Sequence, residues 1–383
     1  MTALALALAA LSLVLVAWSY LVYPPLLARL AARAREREGP PRGGAPGVTP
    51  SVDVLISAAD EERVIGARVA NLLAQEAPGP LSITVGCDGS ADGTAVAARA
   101  AGGERVRVVE FPSRRGKASV LNDLVRMSTA DLLVFTDANT AFETGAVRAL
   151  AGAFSAPDVG AVCGRLRFET APGARQTPEA VYWDRETALK EAEGRLGVCL
   201  GANGAIYAVR RELVEPLPPD TTSMDDFLIP VRVARSGRRV VFAGDALARE
   251  DAARDARAET ARRFRIGIGA GQVLRRERWL WFARERPHLG LAFLSRKAAR
   301  WLAPLAGLAA AAAALGSPGL RPAGASVLAV AALLLATARW APRGDGPGGR
   351  LYYFAVINVA LALGVAAGLA GYARPVWTRT ARP

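Results

Sequence analysis

Between Val52 and Thr136 apolar strand-like runs alternate with helix-like stretches, and an acidic residue stands just past three of the runs. Val52–Ser57, Leu81–Cys87, Val106–Phe111 and Asp131–Thr136 are short, rich in Val, Ile and Leu, and read as strands. Glu61–Ala74, Ala91–Ala101 and Lys117–Met127 carry helical spacing between them. Such alternation predicts a mostly parallel sheet covered by helices on both faces. In such sheets ligands gather at the carboxyl ends of the strands. Asp60 and Glu61 lie just beyond the first strand, Asp88 beyond the second and Asp137 beyond the fourth. A common acidic rim follows from the alternation.

Beyond residue 156 the pattern changes. Val159–Phe168 reads as extended, Thr177–Glu193 as an amphipathic helix and Arg239–Phe242 as a short strand. Ser223–Ala234 reads as a helix that opens on Asp225 and Asp226. Glu259–Arg278 is a basic amphipathic helix with Trp279, Trp281 and Phe282 at its end, a pattern suited to a membrane interface.

The ends of the chain are of another kind. No charge occurs from Met1 to Ala28, and Leu4–Val22 alone is long enough for a hydrocarbon core of about 30 Å. Leu302–Leu320, Ala323–Ala338 and Leu351–Ala373 are further apolar stretches. The N-terminal run lacks a basic leader and continues into Pro24-Pro25, which favours an uncleaved anchor over a signal peptide. Arg29, Arg33, Arg35 and Arg37 follow it, so that side is expected in the cytoplasm of an inner-membrane protein. Three more crossings would leave Arg374, Arg379 and Arg382 outside, so one C-terminal segment is expected to be interfacial or re-entrant.

The expected plan is an anchor at 1–28, a basic Pro/Gly-rich linker at 29–50 and a cytoplasmic catalytic domain at 51–256. Amphipathic interfacial helices at 257–301, about three spans in 302–373 and a basic tail at 374–383 complete it.

A net charge of +13 suggests an anionic partner. The arginines crowd beside apolar stretches without interleaved aromatics, so membrane lipid headgroups explain them better than nucleic acid, which is excluded as a partner. Cys87, Cys163 and Cys199 lack metal-ligand spacing and fit reduced thiols. His288 is the only histidine, which leaves acid–base work to carboxylates. No motif specifies a protein partner.

Each motif has a plain alternative. Asp88-Gly-Ser-Ala-Asp-Gly-Thr94 could be a strand-to-helix turn in which Asp92 or Ser90 caps the helix. Its Asp88 carboxylate could instead accept hydrogen bonds from a base edge or ribose hydroxyls. Asp137-Ala-Asn139 places two oxygen donors on one loop, as Mg²⁺ or Mn²⁺ prefers, or forms a solvated turn. Asp225 and Asp226 suit a helix start, and one could equally deprotonate an acceptor hydroxyl. Gly267-Ile-Gly-Ala-Gly271 follows an arginine-rich helix rather than a strand, which rules out a dinucleotide fingerprint.

Taken in order, these segments resemble the membrane-bound family 2 glycosyltransferases of GT-A fold, with poly-N-acetylglucosamine and cellulose synthase-like layout, over roughly 50–305. Ile56-Ser-Ala-Ala-Asp-Glu-Glu62 is similar to P-A-x-N-E, and Asp88–Thr94 to D-G-S-x-D-G-T. Gly116–Asn122 matches G-K-x-x-x-L-N, and Thr136–Asn139 the D-x-D position. Gly201–Arg210 resembles G-x-x-G-A-x-Y-A-x-R, and Asp225-Asp226 falls at E-D.

The resemblance implies an α/β mixed-sheet catalytic domain flanked by transmembrane helices. It implies a UDP-sugar donor bound by Asp60, Glu61, Asp88 and Lys117, and Mg²⁺ or Mn²⁺ at Asp137 and Asn139. Asp226 would be the base in an inverting single displacement. Asn203, Gly204, Asp225, Arg262 and Arg265 would face a lipid-linked or saccharide acceptor.

The sequence departs from the pattern in three places. The first motif lacks Pro and has Asp60 for Asn, and Asn139 replaces the second Asp. Arg262-Arg-Phe-Arg265-Ile266 stands where processive synthases carry Q-x-x-R-W. Single transfer and polymerisation therefore both remain open. The alternatives are a sugar-nucleotide nucleotidyltransferase, which would need a basic Gly-rich loop where Ser57–Arg63 is acidic, and an inactive nucleotide-binding scaffold.

Overall fold

The computed structural model describes residues 1–37, 49–169, 178–251, 256–337 and 347–376. Residues 38–48 of the linker, Thr177, and Arg379 and Arg382 of the tail lie outside them. One eight-stranded sheet organises the middle of the chain, with the order β3-β2-β1-β4-β7-β6-β8-β5. The strands are β1 Val52–Ala58, β2 Leu81–Asp88, β3 Val106–Phe111 and β4 Leu132–Thr136. They are followed by β5 Ala141–Phe142, β6 Val159–Glu169, β7 Tyr207–Arg210 and β8 Arg239–Asp251. β1 pairs in parallel with β2 and β4, and β2 with β3, as the alternation predicts. β7 runs antiparallel between β4 and β6, which makes the sheet mixed.

All seven residues of β1 are buried, as for a central strand covered on both faces, and its one acid, Asp53, accepts the Thr84 hydroxyl of β2 at 3.1 Å. On one face of the sheet the helix Glu62–Leu73 buries Ile65, Val69 and Leu72, one stripe at helical spacing. Each such side chain contributes about 1.5–3 kcal/mol on burial. The next helix begins at Thr94 rather than Ala91. The Asp92 carboxylate accepts the N–H groups of Glu62 and Thr94, so residues 91–93 are held as a turn. β8 is much longer than Arg239–Phe242. Its pairing with β6 shifts between Gly164 and Arg165, and residues 244–246 bulge out before the ladder resumes.

The terminal helices pack together beside this domain. Ser12 Oγ donates to the Ala303 carbonyl at 2.8 Å, and Trp18 Nε1 to Ser295 Oγ at 2.8 Å. A buried polar knot then ties them to the domain. Arg296, fully buried, pairs with Glu193 at 3.1 Å and Glu186 at 3.4 Å, and the Tyr23 hydroxyl donates to Glu193 at 3.1 Å.

The helix Ala256–Arg276, expected at an interface, lies against the helix Pro347–Leu369. A Cβ on Gly364 or Gly368 would overlap the carbonyl oxygens of Phe264 or Ile268, so only glycine permits this approach. Gly267 and Gly271 form the other side of the same contact. Close packing is thus the use of the Gly-x-Gly-x-Gly segment. Among the described residues, Thr2–Ala34 and Leu351–Leu369 are long and apolar enough to cross a membrane, and the shorter Arg321–Thr337 is also apolar. Leu4, Leu6, Leu13 and Leu21 are exposed along the first.

Candidate active site

The strand ends do converge. After β1 the backbone enters the left-handed region at Asp60, with φ of 55°. The Asp60 carboxylate accepts the Ala91 N–H at 2.9 Å and pairs with Arg114. Glu61 donates its N–H to Thr94 Oγ1 at 2.8 Å, and its carbonyl accepts the first N–H groups of the following helix. Asp88, at the end of β2, is buried. Its two carboxylate oxygens accept the N–H groups of Arg115 at 2.7 Å and Gly116 at 2.9 Å. The candidate nucleotide-binding residues thus fasten three loops to one another, and Asp88 delivers Lys117 to the site.

Lys117 Nζ lies 2.8 Å from Asp137 Oδ1 and 3.0 Å from Asp225 Oδ2. Burial opposes its charge, but Asp137 and Asp225 outweigh burial and hold the ammonium firmly protonated. Ser223 and Met224, both at positive φ, swing the chain so that Asp225 and Asp226 open the helix Asp225–Arg235 towards this point. Backbone strain of this sort persists only where surrounding contacts enforce it. The Ala202 N–H donates to the Asp226 carbonyl at 2.8 Å, which joins the helix to the Gly201–Gly204 turn. Burial first, and then the Asp225 charge, hold the Asp226 carboxyl above its ordinary range, while Lys117, Lys190 and Lys297 pull it back. A carboxylate so placed is a stronger base than one in water.

Gly204 forms the floor between the acids. A Cβ built on it would stand at ordinary contact distance from both, 3.5 Å from Asp226 Oδ2 and 3.7 Å from Asp137 Oδ2, which puts Gly204 between the two carboxylates. Beneath them the Tyr207 ring stacks on Phe135, with centroids 4.8 Å apart. Its buried hydroxyl has no hydrogen-bond partner among the described residues. Arg68, also buried, is pulled down to about 9 by burial against the charges of Asp137 and Glu250. It donates to Thr136 Oγ1 at 2.8 Å, which fixes the end of β4.

This donor set suits a hard divalent cation only in part. Asp137 supplies a half-exposed carboxylate, and the Asn139 amide nitrogen is buried without a partner, so that amide is free to turn and offer its oxygen. Among the described residues no group of three or more His, Cys, Asp or Glu side chains is set to hold a metal. Mg²⁺-type sites that use one or two carboxylates and take their other ligands from substrate phosphates have this character.

Of the expected acceptor-side groups, Asn203 and Arg262 are engaged by neighbours within the protein. Asn203 is buried and spends its amide on the Gly164 carbonyl, at 2.7 Å, and on Lys190, so it holds the turn. Arg262 pairs with Glu259 at 3.3 Å, and Arg265 lies one turn from Gly269, which packs on Thr222.

Sequence reasoning missed Lys190, Lys297, Tyr207 and Arg68. For the lysines a signal existed. Of 48 basic residues only Lys117, Lys190 and Lys297 are lysine, and all three charges act on Asp226. Burial and the Arg296 charge pull Lys297 down to about 7, as happens readily to a buried lysine.

The profile of glycosyltransferase-like family 2 matches residues 50–269, more than half of the chain and the whole acid centre. The chain belongs to that family. It is 30% identical over 176 residues to an N-acetylglucosaminyltransferase of Azorhizobium caulinodans, a match covering 44% of each. To one from Sinorhizobium fredii it is 28% identical, over 43% of this chain and 41% of the relative. The chain thus spans less than half the length of the curated relatives it matches. A mannosyltransferase from Pyrobaculum calidifontis, solved in complex with GDP-Man and Mn²⁺, superposes over 94% of this chain and 99% of its own, with a TM-score of 0.62 and 25% identity. The mixed sheet is thus that of a GT-A glycosyltransferase.

Proposed function

We propose that this family 2 glycosyltransferase is embedded in a bacterial-type inner membrane with its sheet domain on the cytoplasmic side. It moves a sugar from a UDP-sugar to a lipid-linked or saccharide acceptor with inversion. The observation that carries the reading is the meeting of Asp137, Asp225, Asp226 and Lys117 over Gly204 at the carboxyl end of the sheet. Asp226 takes the acceptor hydroxyl proton as that oxygen attacks the anomeric carbon and the bond to the nucleoside diphosphate breaks. Asp137 and Asn139 are the residues to hold Mg²⁺ or Mn²⁺, which when bound offsets charge on the departing diphosphate. Lys117 adds a fixed positive charge at the same place, and Asp88, Asp60 and Glu61 shape the nucleotide end. Asp225 holds Lys117, and Gly204 leaves room for the acceptor beside Asp226.

The relatives named N-acetylglucosaminyltransferases favour UDP-N-acetylglucosamine as the first donor to try. A second reading, GDP-mannose, is favoured by the GDP-Man complex of the mannosyltransferase that superposes on nearly the whole chain. The exposed apolar face of Thr2–Ala34 supports the membrane assignment.

The test is release of nucleoside diphosphate by detergent-purified protein with Mn²⁺ and a panel of polyprenyl-phosphate and saccharide acceptors. The donors are UDP-N-acetylglucosamine, UDP-glucose, UDP-galactose and GDP-mannose. Turnover of one UDP-sugar, abolished in Asp226→Asn, is the expected result. Turnover of GDP-mannose alone would establish the second reading, and no turnover of any donor would overturn both.

A further inference from the structure

The helix Pro347–Leu369 ends in a glycine turn. Gly371 adopts φ of 95°, its N–H donates to the Gly368 carbonyl at 3.1 Å, and the Tyr372 N–H to the Ala367 carbonyl at 2.9 Å. This termination reverses the chain and sends it back over the sheet domain. There the Arg374 N–H donates to Thr222 Oγ1 at 2.7 Å. Pro375 comes so close to Gly116 that a Cβ there would stand 2.6 Å from the Pro375 carbonyl oxygen. Two consecutive residues therefore join the loop that delivers Lys117 to the loop that delivers Asp225.

Charge gathers at the same spot. Arg265 is disfavoured as a cation by burial and then by the nearby charges of Arg374 and Arg262. Glu259, on the same helix, is engaged by Arg262 and Arg263. Among the described residues neither Arg265 nor Arg374 has a carboxylate at ion-pair distance. Glu259 offsets part of the charge at Arg265, and the guanidinium excess that remains raises the local potential and favours an incoming polyanion. Arg374 is exposed and lies beyond residues 50–269, the stretch the family profile spans.

We propose that Arg374 and Pro375 form a C-terminal strap across the donor end of the site, with the Arg374 guanidinium binding the diphosphate of the nucleotide sugar beside Arg265. The proposal rests on the nucleotide-sugar reading above. Titration calorimetry of the full-length protein with UDP and GDP, each with Mn²⁺, tests it, with UMP and GMP as single-phosphate comparisons. For whichever diphosphate binds the wild type, Arg374→Gln weakens affinity about 10-fold, as for loss of one hydrogen bond to a charged group. Arg374→Glu weakens it further, Arg374→Lys recovers most of it, and the monophosphate moves much less. Unchanged affinity in the Gln and Glu variants would overturn the strap alone, as would equal loss in the Gln and Lys variants. A wild type that binds neither diphosphate would remove the nucleotide-sugar reading, and the strap with it.

Discussion

The two sides of the site are built from the same residue type and left in opposite states. On the nucleotide side the carboxylates of Asp60 and Asp88 have partners at ordinary hydrogen-bond distances, supplied by backbone N–H groups of neighbouring loops. In the acid centre Asp226 is held above its ordinary range, Asn139 and Tyr207 bury unpartnered polar atoms, and Lys117 is the main counter-charge to Asp137 and Asp225. Satisfied groups set the shape of a site. Groups left short store the capacity to bind and react, because a buried polar group without a partner favours whatever supplies one. The contrast separates a preformed cradle from a centre completed by its ligands.

Four changes would break or sharpen that contrast. The largest effect is expected from Asp226→Asn, which lowers turnover about 10³-fold, within the usual range for a general base. Its effect on folding should be the reverse. A carboxyl whose folded pKa is raised costs stability once pH exceeds the unfolded value, so the variant melts no lower than wild type at pH 7 and above. A turnover loss accompanied by a lower melting temperature would place Asp226 in the cradle instead.

Asp137→Asn comes next. Mn²⁺ binding in the presence of nucleoside diphosphate, followed by electron paramagnetic resonance of the free ion, falls by roughly 10–100-fold, as for groups that hold a metal in place. Urea unfolding is little changed, because the side chain is half-exposed.

Asp88→Asn should show the opposite profile. The amide cannot accept both N–H groups, and one buried donor is left unpaired. Urea unfolding should show a loss of about 2 kcal/mol, and nucleotide affinity falls with it as the 113–117 loop loosens. Full stability in this variant would mean that the cradle is not preformed.

The smallest effect concerns Lys297→Met. A lysine whose folded pKa is lowered to about 7 binds fewer protons folded than unfolded between that value and its usual range. It therefore contributes a rise in stability as pH increases from 7 towards 10, and a penalty below 7. The methionine variant loses that slope and is relatively more stable at pH 6, which thermal melting across pH detects.

How much of this was legible beforehand follows from how local each feature is. β3 Val106–Phe111 and the helix Lys117–Met127 have the bounds their apolar spacing predicts. The helix before them starts at Thr94 rather than Ala91 because Asp92 takes the Glu62 N–H from a different loop as well as the Thr94 N–H. β8 was read short because its continuation past a bulge depends on pairing with β6. Asp137, Asp225, Lys117 and Gly204 were readable as motif positions, and the structure brings them together. Asn203 was readable as a position, but its side chain turns to Lys190 and Gly164.

The sequence by itself determined the parallel half of the sheet, the acidic strand ends and the family, because periodicity and short motifs are fixed by neighbours a few residues away. It also carried the three lysines in plain view. Only the tertiary structure decided which carboxylates are satisfied and which are left short, that glycines seat Ala256–Arg276 on Pro347–Leu369, and that Arg374 returns to the loop before Asp225. Those outcomes depend on partners in other elements, 27 residues away for Asp88 and 152 for Arg374, and burial and electrostatic coupling act through space rather than along the chain.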